Sequence, residues 1–156
     1  MKRITIFLVL LVAALAAKAN EAYLKVELNG APDAKIYAAD NLKYTQITAL
    51  ETTPKGRLWA SVLCGGDSGE GFLTLAYSDS KGKSWSEPVL ALDARNQRLA
   101  VRNGVLWRSP KGELWLFYSI FDGYYDGRGS MWATSCKNPD DAKPTWSSPI
   151  YLGVGV

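Results

Sequence analysis

The chain contains no histidine. That removes the side chain that titrates near neutrality, and with it imidazole general bases, histidine-based nucleophilic triads and the usual zinc and copper ligand sets. Cysteine is scarce: Cys64 and Cys136 stand 72 residues apart with no Cys-x-x-Cys pair. In an oxidising compartment a disulfide between them is permitted but not required. Acid or base chemistry falls to Asp, Glu, Tyr or Lys, and the expectation is neither a metal nor an organic cofactor.

Long apolar runs are missing except at the start. There "MKRITIFLVLLVAALAAKANEAY" sets Lys2 and Arg3 before an uncharged stretch from Ile4 to Ala17, closed by the small-x-small sequence Ala17, Lys18, Ala19. Spanning a bilayer takes about 20 apolar residues. The shorter run reads as a signal peptide over residues 1–19, so that the expected location is periplasmic or secreted, with no stable membrane anchor after cleavage. Removing Lys2, Arg3 and Lys18 leaves 15 basic against 15 acidic residues. The mature chain lacks the basic excess of a nucleic-acid binder, and that partner class is excluded.

What is present is β-pattern text, written twice. "PKGRLWA" at 54–60 returns as "PKGELWL" at 110–116, and "SWSEPVLAL" as "TWSSPIYLG". Short apolar or alternating runs at 47–52, 57–63, 71–78, 88–92, 104–109, 113–120, 129–135 and 149–153 predict eight strands. In "TPKG" and "SPKG", Pro suits the second turn position and Gly supplies a positive φ. Each unit runs strand, Pro-Lys-Gly turn, strand, longer loop, strand, Trp-Ser-x-Pro, strand. Four strands in about 50 residues is the pattern of a β-propeller blade. A single eight-stranded sandwich is the competing arrangement. Residues 20–45 give no assignment beyond a leading strand near "YLKVEL". Two blades alone leave two apolar sheet faces in water, and closed propellers need about four. Residues 20–156 are therefore expected to be the N-terminal two blades of a longer propeller.

"SDSKGKSW", Ser78 to Trp85, resembles the Asp box, Ser-x-Asp-x-Gly-x-Thr-Trp, of the bacterial neuraminidase repeats in the sialidase superfamily. Ser78, Gly82 and Trp85 fit its spacing; Ser80 stands in the Asp place, with Asp79 one position early. In that family the box is structural: a turn whose carboxylate accepts backbone N–H groups and whose Trp packs beneath. The second copy, "SCKNPDDAKPTW", keeps Ser135 and Trp146 around an insertion without Gly. "GRLWASVLCGGDSGEG" (56–71) and residues 105–153 are also similar to bacterial sialidase-like propellers, so that the likeness covers residues 44–156.

The resemblance implies an all-β, sialidase-type six-bladed propeller of which about two four-stranded blades are present, and a glycoside hydrolase acting on terminal sugars of glycans. Sialidases hold the substrate carboxylate with an arginine cluster, use an Asp as acid/base, and attack with a Tyr assisted by Glu. The positions it points to here are Glu70, Asp122 and Asp126 as catalytic carboxylates and Arg102 and Arg128 as substrate-binding groups. Tyr124 and Tyr125, in "FDGYYDGRG", have the composition of a sugar-stacking platform. Against this, Glu70 in "GGDSGEG" also reads as a solvated turn, and Asp126 with Arg128 as a local surface pair. Two departures stand out: "YTQITAL" lacks the arginine that sialidases place before the first strand, and "VRNGVLW" lacks the Asp-Pro found near the equivalent of Arg102. Two alternatives stay open, a non-catalytic carbohydrate-binding propeller and a structural module whose blades complete another chain.

Overall fold

The computed structural model describes residues 28–29, 31–66, 68–122 and 129–155; the expected signal peptide lies outside them. Among these residues nine strands form two antiparallel sheets. The first sheet takes β1 (Leu28–Asn29), β2 (Thr45–Thr52), β3 (Leu58–Cys64), β4 (Phe72–Ser78) and β5 (Leu90–Leu92), in the spatial order β1-β5-β4-β3-β2. The second takes β6 (Leu99–Arg108), β7 (Leu114–Asp122), β8 (Gly129–Cys136) and β9 (Ile150–Gly155) in sequential order. Each repeat is thus a four-stranded meander, and all eight expected strands are present. The extra strand β1 pairs with β5, Leu28 opposite Leu92. A short helix α1 (Ala34–Tyr37) and a 3-10 turn, Ala39–Asn41, join β1 to β2. No helix among the described residues is long and apolar enough to cross a membrane.

The written repeat is a structural repeat down to its hydrogen bonds. In the first turn Gly56 N–H donates to Thr53 O and Thr53 N–H to Arg57 O, each at 2.9 Å. In the second, Gly112 N–H donates to Ser109 O and Ser109 N–H to Glu113 O, again at 2.9 Å. Gly56 and Gly112 have φ of 90° and 85°, which explains why glycine is written there both times. The Trp-Ser-x-Pro segments are equivalent too. Ser86 donates its N–H to Tyr77 O at 2.8 Å and accepts Tyr77 N–H on Oγ at 3.0 Å. Ser147 makes the same two bonds to Ser135, at 2.8 and 3.1 Å.

The main core lies between the sheets. Alternation along the strands sends Trp59, Leu63, Leu73, Leu75, Leu90 and Leu92 inward from the first sheet. Leu106, Leu114, Leu116, Tyr118, Ile120 and Trp132 meet them from the second. Strand β6 lies closest to the first sheet, and a bulge between Arg102 and Val105 lets it in. Gly104 sits in that bulge; a Cβ there would collide with Ser61 Oγ, so only glycine permits the approach. On the far face of the first sheet a smaller cluster forms where Tyr37 and Leu42 cover Cys64, Phe72 and Ala91.

The insertion in the second copy of the box fastens the two repeats together. Trp59 Nε1 donates to Pro139 O at 3.2 Å. Arg57 Nη1 donates to Pro139 O and Asp141 O, at 3.1 and 2.7 Å. Asp140 accepts from the Thr53 hydroxyl and from Lys55 N–H. Both cysteines are free thiols in separate clusters, on different sheets, and burial pushes each thiol's pKa up.

Candidate functional site

The two ends of the stacked sheets differ in chemistry. One end carries the two Pro-Lys-Gly turns and the hairpin of the degenerate box. The other carries the turn that leads into β4, the 3-10 turn Arg95–Gln97 leading into β6, the end of β7 and the start of β8. Glu70, Arg102 and Asp122 all fall at this second end.

Glu70 sits in the turn from Ser68 to Gly71. Gly71 N–H donates to Ser68 O at 3.2 Å, and Glu70 N–H donates to Ser68 Oγ at 3.2 Å. The first sheet hands this turn to the second. Val101 N–H donates to Gly71 O at 2.8 Å, and the Arg102 guanidinium donates to Ser68 O. Arg102 is almost wholly buried, its side chain packed on Gly71, and its backbone pairs with Ser119. Burying an arginine is costly without partners, so the arginine and the Glu70 turn hold one another in place. Asp122 closes β7 opposite Leu99, half-buried. Tyr124, Tyr125, Asp126 and Arg128 lie outside the described residues.

Glu70 also borders an open cleft of about 700 Å³, whose walls include Ile36, Tyr37, Asp93, Arg95 and Arg98. Asp93 anchors its floor. It accepts Tyr37 Oη at 2.9 Å, Arg95 N–H at 3.0 Å, and Arg95 Nε and Nη2 at 2.9 and 2.5 Å. Burial pushes the Asp93 carboxyl up, but the bonds from Arg95 and Tyr37 outweigh it and hold the group below the ordinary carboxylate value. Burial and the neighbouring carboxylate push Tyr37 up. Arg95 lies 3.9 Å over the Phe72 ring, so both faces of this pair are fixed. The cleft offers Glu70 as a carboxylate and Arg98 as a cation on a rigid polar floor, a composition suited to sugar hydroxyls or a small anion. Among the described residues no group of three His, Cys, Asp or Glu is placed to hold a metal ion.

Nothing in the sequence marked Tyr37, Asp93 or Arg95. The one local signal was Asp93-x-Arg95 just after a strand, a spacing that a 3-10 turn folds into a two-point ion pair.

At the opposite end the degenerate box keeps its turn with different atoms. Ser78 Oγ accepts Ser80 and Gly82 N–H at 3.2 and 2.9 Å, and Ser80 Oγ accepts Ser84 N–H at 2.8 Å. Ser80 therefore serves as the acceptor inside the turn, in the place an Asp would hold. Asp79 is freed for Arg57, receiving Nε at 2.8 Å and Nη2 at 3.0 Å, and this donation holds its carboxyl below the ordinary value. Asp79 is thus a structural partner at the end away from Glu70. Trp85 departs from the resemblance: it is 40% exposed rather than packed beneath the loop. Its counterpart Trp146 reaches Trp59 across the sheets, ring centroids 5.8 Å apart and edge to face. Among the described residues no second sheet lies beside Trp85 in that way.

No family model matches this chain, and no curated protein matches it.

Proposed function

We propose that the chain is the leading pair of blades of a sialidase-like propeller and belongs to an exo-glycosidase that acts on terminal sugars. One observation carries this reading: two equivalent four-stranded meanders stack face to face and bring Glu70, Arg102 and Asp122 to one end, with the box-like serine hairpin at the other. That separation suits a protein that reads a ligand at one rim and uses its hairpins only to hold the blades. In this reading Glu70 and Asp122, with Asp126, are the carboxylates that handle protons. Arg128 receives an acidic sugar and Tyr124 and Tyr125 stack on its ring, while Arg102, almost wholly buried, serves the site by holding the Glu70 turn rather than by touching the sugar.

A specific feature favours binding without hydrolysis as the second reading. Strand β2 carries no arginine. Tyr118 is sealed in the core with its phenol pKa pushed up by burial, so it is no nucleophile. The 156-residue chain is accordingly expected to bind a terminal sugar and not to turn over an aryl sialoside.

Calorimetric titration with sialic acid and with neutral monosaccharides, beside a fluorogenic aryl sialoside assay, tests both readings. Saturable binding weakened about tenfold by Glu70→Gln or Arg128→Ala supports the placement of the site. Binding that neither variant changes, or no saturation by any sugar, overturns it. Turnover abolished by Asp126→Asn would put the catalytic machinery within this chain and remove the second reading.

A further inference from the structure

The cleft beside Glu70 is built from three pieces of chain: the Glu70 turn, the 3-10 turn Arg95–Gln97 with Arg98, and α1. All lie at one end of the first sheet, and α1 already covers that corner over Cys64, Phe72 and Ala91, so the cleft belongs to the rim and not to a sheet face. Its walls are held before any ligand arrives. Tyr37 stands edge to face on Phe72, ring centroids 5.9 Å apart. The 3-10 turn is closed by Arg98 N–H on Arg95 O at 3.0 Å and by Leu99 N–H on Ala94 O at 3.1 Å. Just past α1, Ala39 N–H donates to Glu87 Oε2 at 3.2 Å. Arg98 turns the chain with φ of 59° and ψ of 32°, a left-handed conformation that is costly for an arginine and that the flanking bonds impose.

Two kinds of polar group line this space. Asp93 and Arg95 satisfy each other, and their charges cancel. Glu70, Asn96 and Arg98 are exposed, and among the described residues their side chains form no hydrogen bond or ion pair. An ionised Glu70 only accepts, Arg98 only donates, and Asn96 does both. Counted with the floor, the cleft holds two carboxylates and two guanidinium groups. An anion drawn to Arg98 meets Glu70, and a cation drawn to Glu70 meets Arg98. A neutral ligand whose groups both donate and accept meets no opposing charge. Ile36, 51% exposed, adds an apolar wall on the α1 side. The volume of about 700 Å³ falls within the range of about 300–1,000 Å³ found for small-molecule sites.

We propose that this cleft binds a neutral pyranose. Arg98 and Asn96 donate to its hydroxyls, Glu70 and Asn96 accept from them, and Ile36 lies against the C–H face of the ring. The carbohydrate class rests on the function proposed above; the neutrality of the sugar rests on the charge balance of the cleft. Because Glu70 is also a carboxylate of that proposed function, the test is placed on Asn96 and Arg98.

Titration of the full chain with methyl β-glucoside, methyl β-galactoside and free sialic acid, followed by amide shifts in NMR spectra, tests this. At least one neutral glycoside is expected to shift the amides of Gly69, Asn96 and Arg98 saturably, and sialic acid is expected to leave them in place. Asn96→Ala and Arg98→Ala remove side chains that make no bond in the fold. Each is expected to weaken the glycoside about fivefold with an unchanged midpoint in urea. Sorbitol, an open-chain polyol, is expected to bind more weakly than the glycoside. The proposal is overturned by cleft amides that neither glycoside shifts, by variants that bind as wild type does, by sorbitol binding as well as the ring, or by sialic acid shifting these amides more strongly. A chain that binds the neutral glycoside here and sialic acid nowhere upholds this inference and removes the acidic-sugar reading.

Discussion

Gly112 of the second Pro-Lys-Gly turn lies against Pro54 of the first: a Cβ built on the glycine would stand 2.9 Å from Pro54 Cγ. The two turns that repeat in the text are thus also neighbours in space, and the packing of one on the other fixes the relative position of the repeats.

Gly56 and Gly112 provide a matched pair for that contact. Both need a positive φ, but a Cβ on Gly56 meets nothing within 4 Å. Gly56→Ala is expected to cost about 1 kcal/mol from backbone strain alone. Gly112→Ala is expected to cost about 1 kcal/mol more, because Pro54 must shift. Urea unfolding of both variants measures the difference, and equal losses would mean that the turns do not bear on each other.

Arg57 and Asp79 should respond unequally to mutation although they form one ion pair. Arg57 is buried, lies 3.8 Å over the Tyr77 ring, and also satisfies the Pro139 and Asp141 carbonyls. Arg57→Ala is expected to lose about 3 kcal/mol. The Asp79 side chain is 61% exposed, and solvent screening limits Asp79→Asn to about 0.5 kcal/mol. Thermal denaturation of the two variants checks the ordering.

The Asp93 carboxyl has a lowered pKa in the folded chain. Its charge therefore stabilises the fold at pH values above the unfolded carboxylate value of about 3.9. That contribution is lost as the pH falls through the lower folded value. Asp93→Asn should be less stable than wild type at neutral pH, with a deficit that shrinks as acid protonates Asp93 in the wild-type chain. A deficit of constant size down the acid limb would show that the charge plays no part.

Tyr118 is fully buried in the core, and its hydroxyl has no hydrogen-bond partner among the described residues. A sealed, unsatisfied hydroxyl costs free energy that Phe does not incur. Tyr118→Phe is expected to raise stability by about 1 kcal/mol in urea unfolding, and a loss of that size would imply a bond from the hydroxyl.

The eight strands were legible because alternation and turn residues agree along the chain, and the repeat was legible because its glycines and serines do the same work twice. Strand β6 begins at Leu99, five residues before the expected Gly104, since "RNG" reads as turn chemistry while in space it is a bulge that presses the strand onto Ser61. The insertion with Pro139, Asp140 and Asp141 reads as decay of a motif, yet it clamps Arg57 and Trp59. The cleft was hidden for a different reason. Tyr37 and Asp93 meet only because β1 and α1 fold back across the first sheet, and no local pattern encodes a contact between segments so far apart. Glu70 and Arg102 could be picked out one by one, but the backbone link between them through Gly71 required the sheets to be in place.

The pairing of Leu28 with Leu92 also bears on how the chain reaches its native state. Every other strand pair joins neighbours in the sequence, whose loops close quickly, whereas β1 must wait until β5 has been laid down on β4. Seating of that first short strand is therefore the late event in refolding, and the amides it protects should be among the last to resist deuterium exchange.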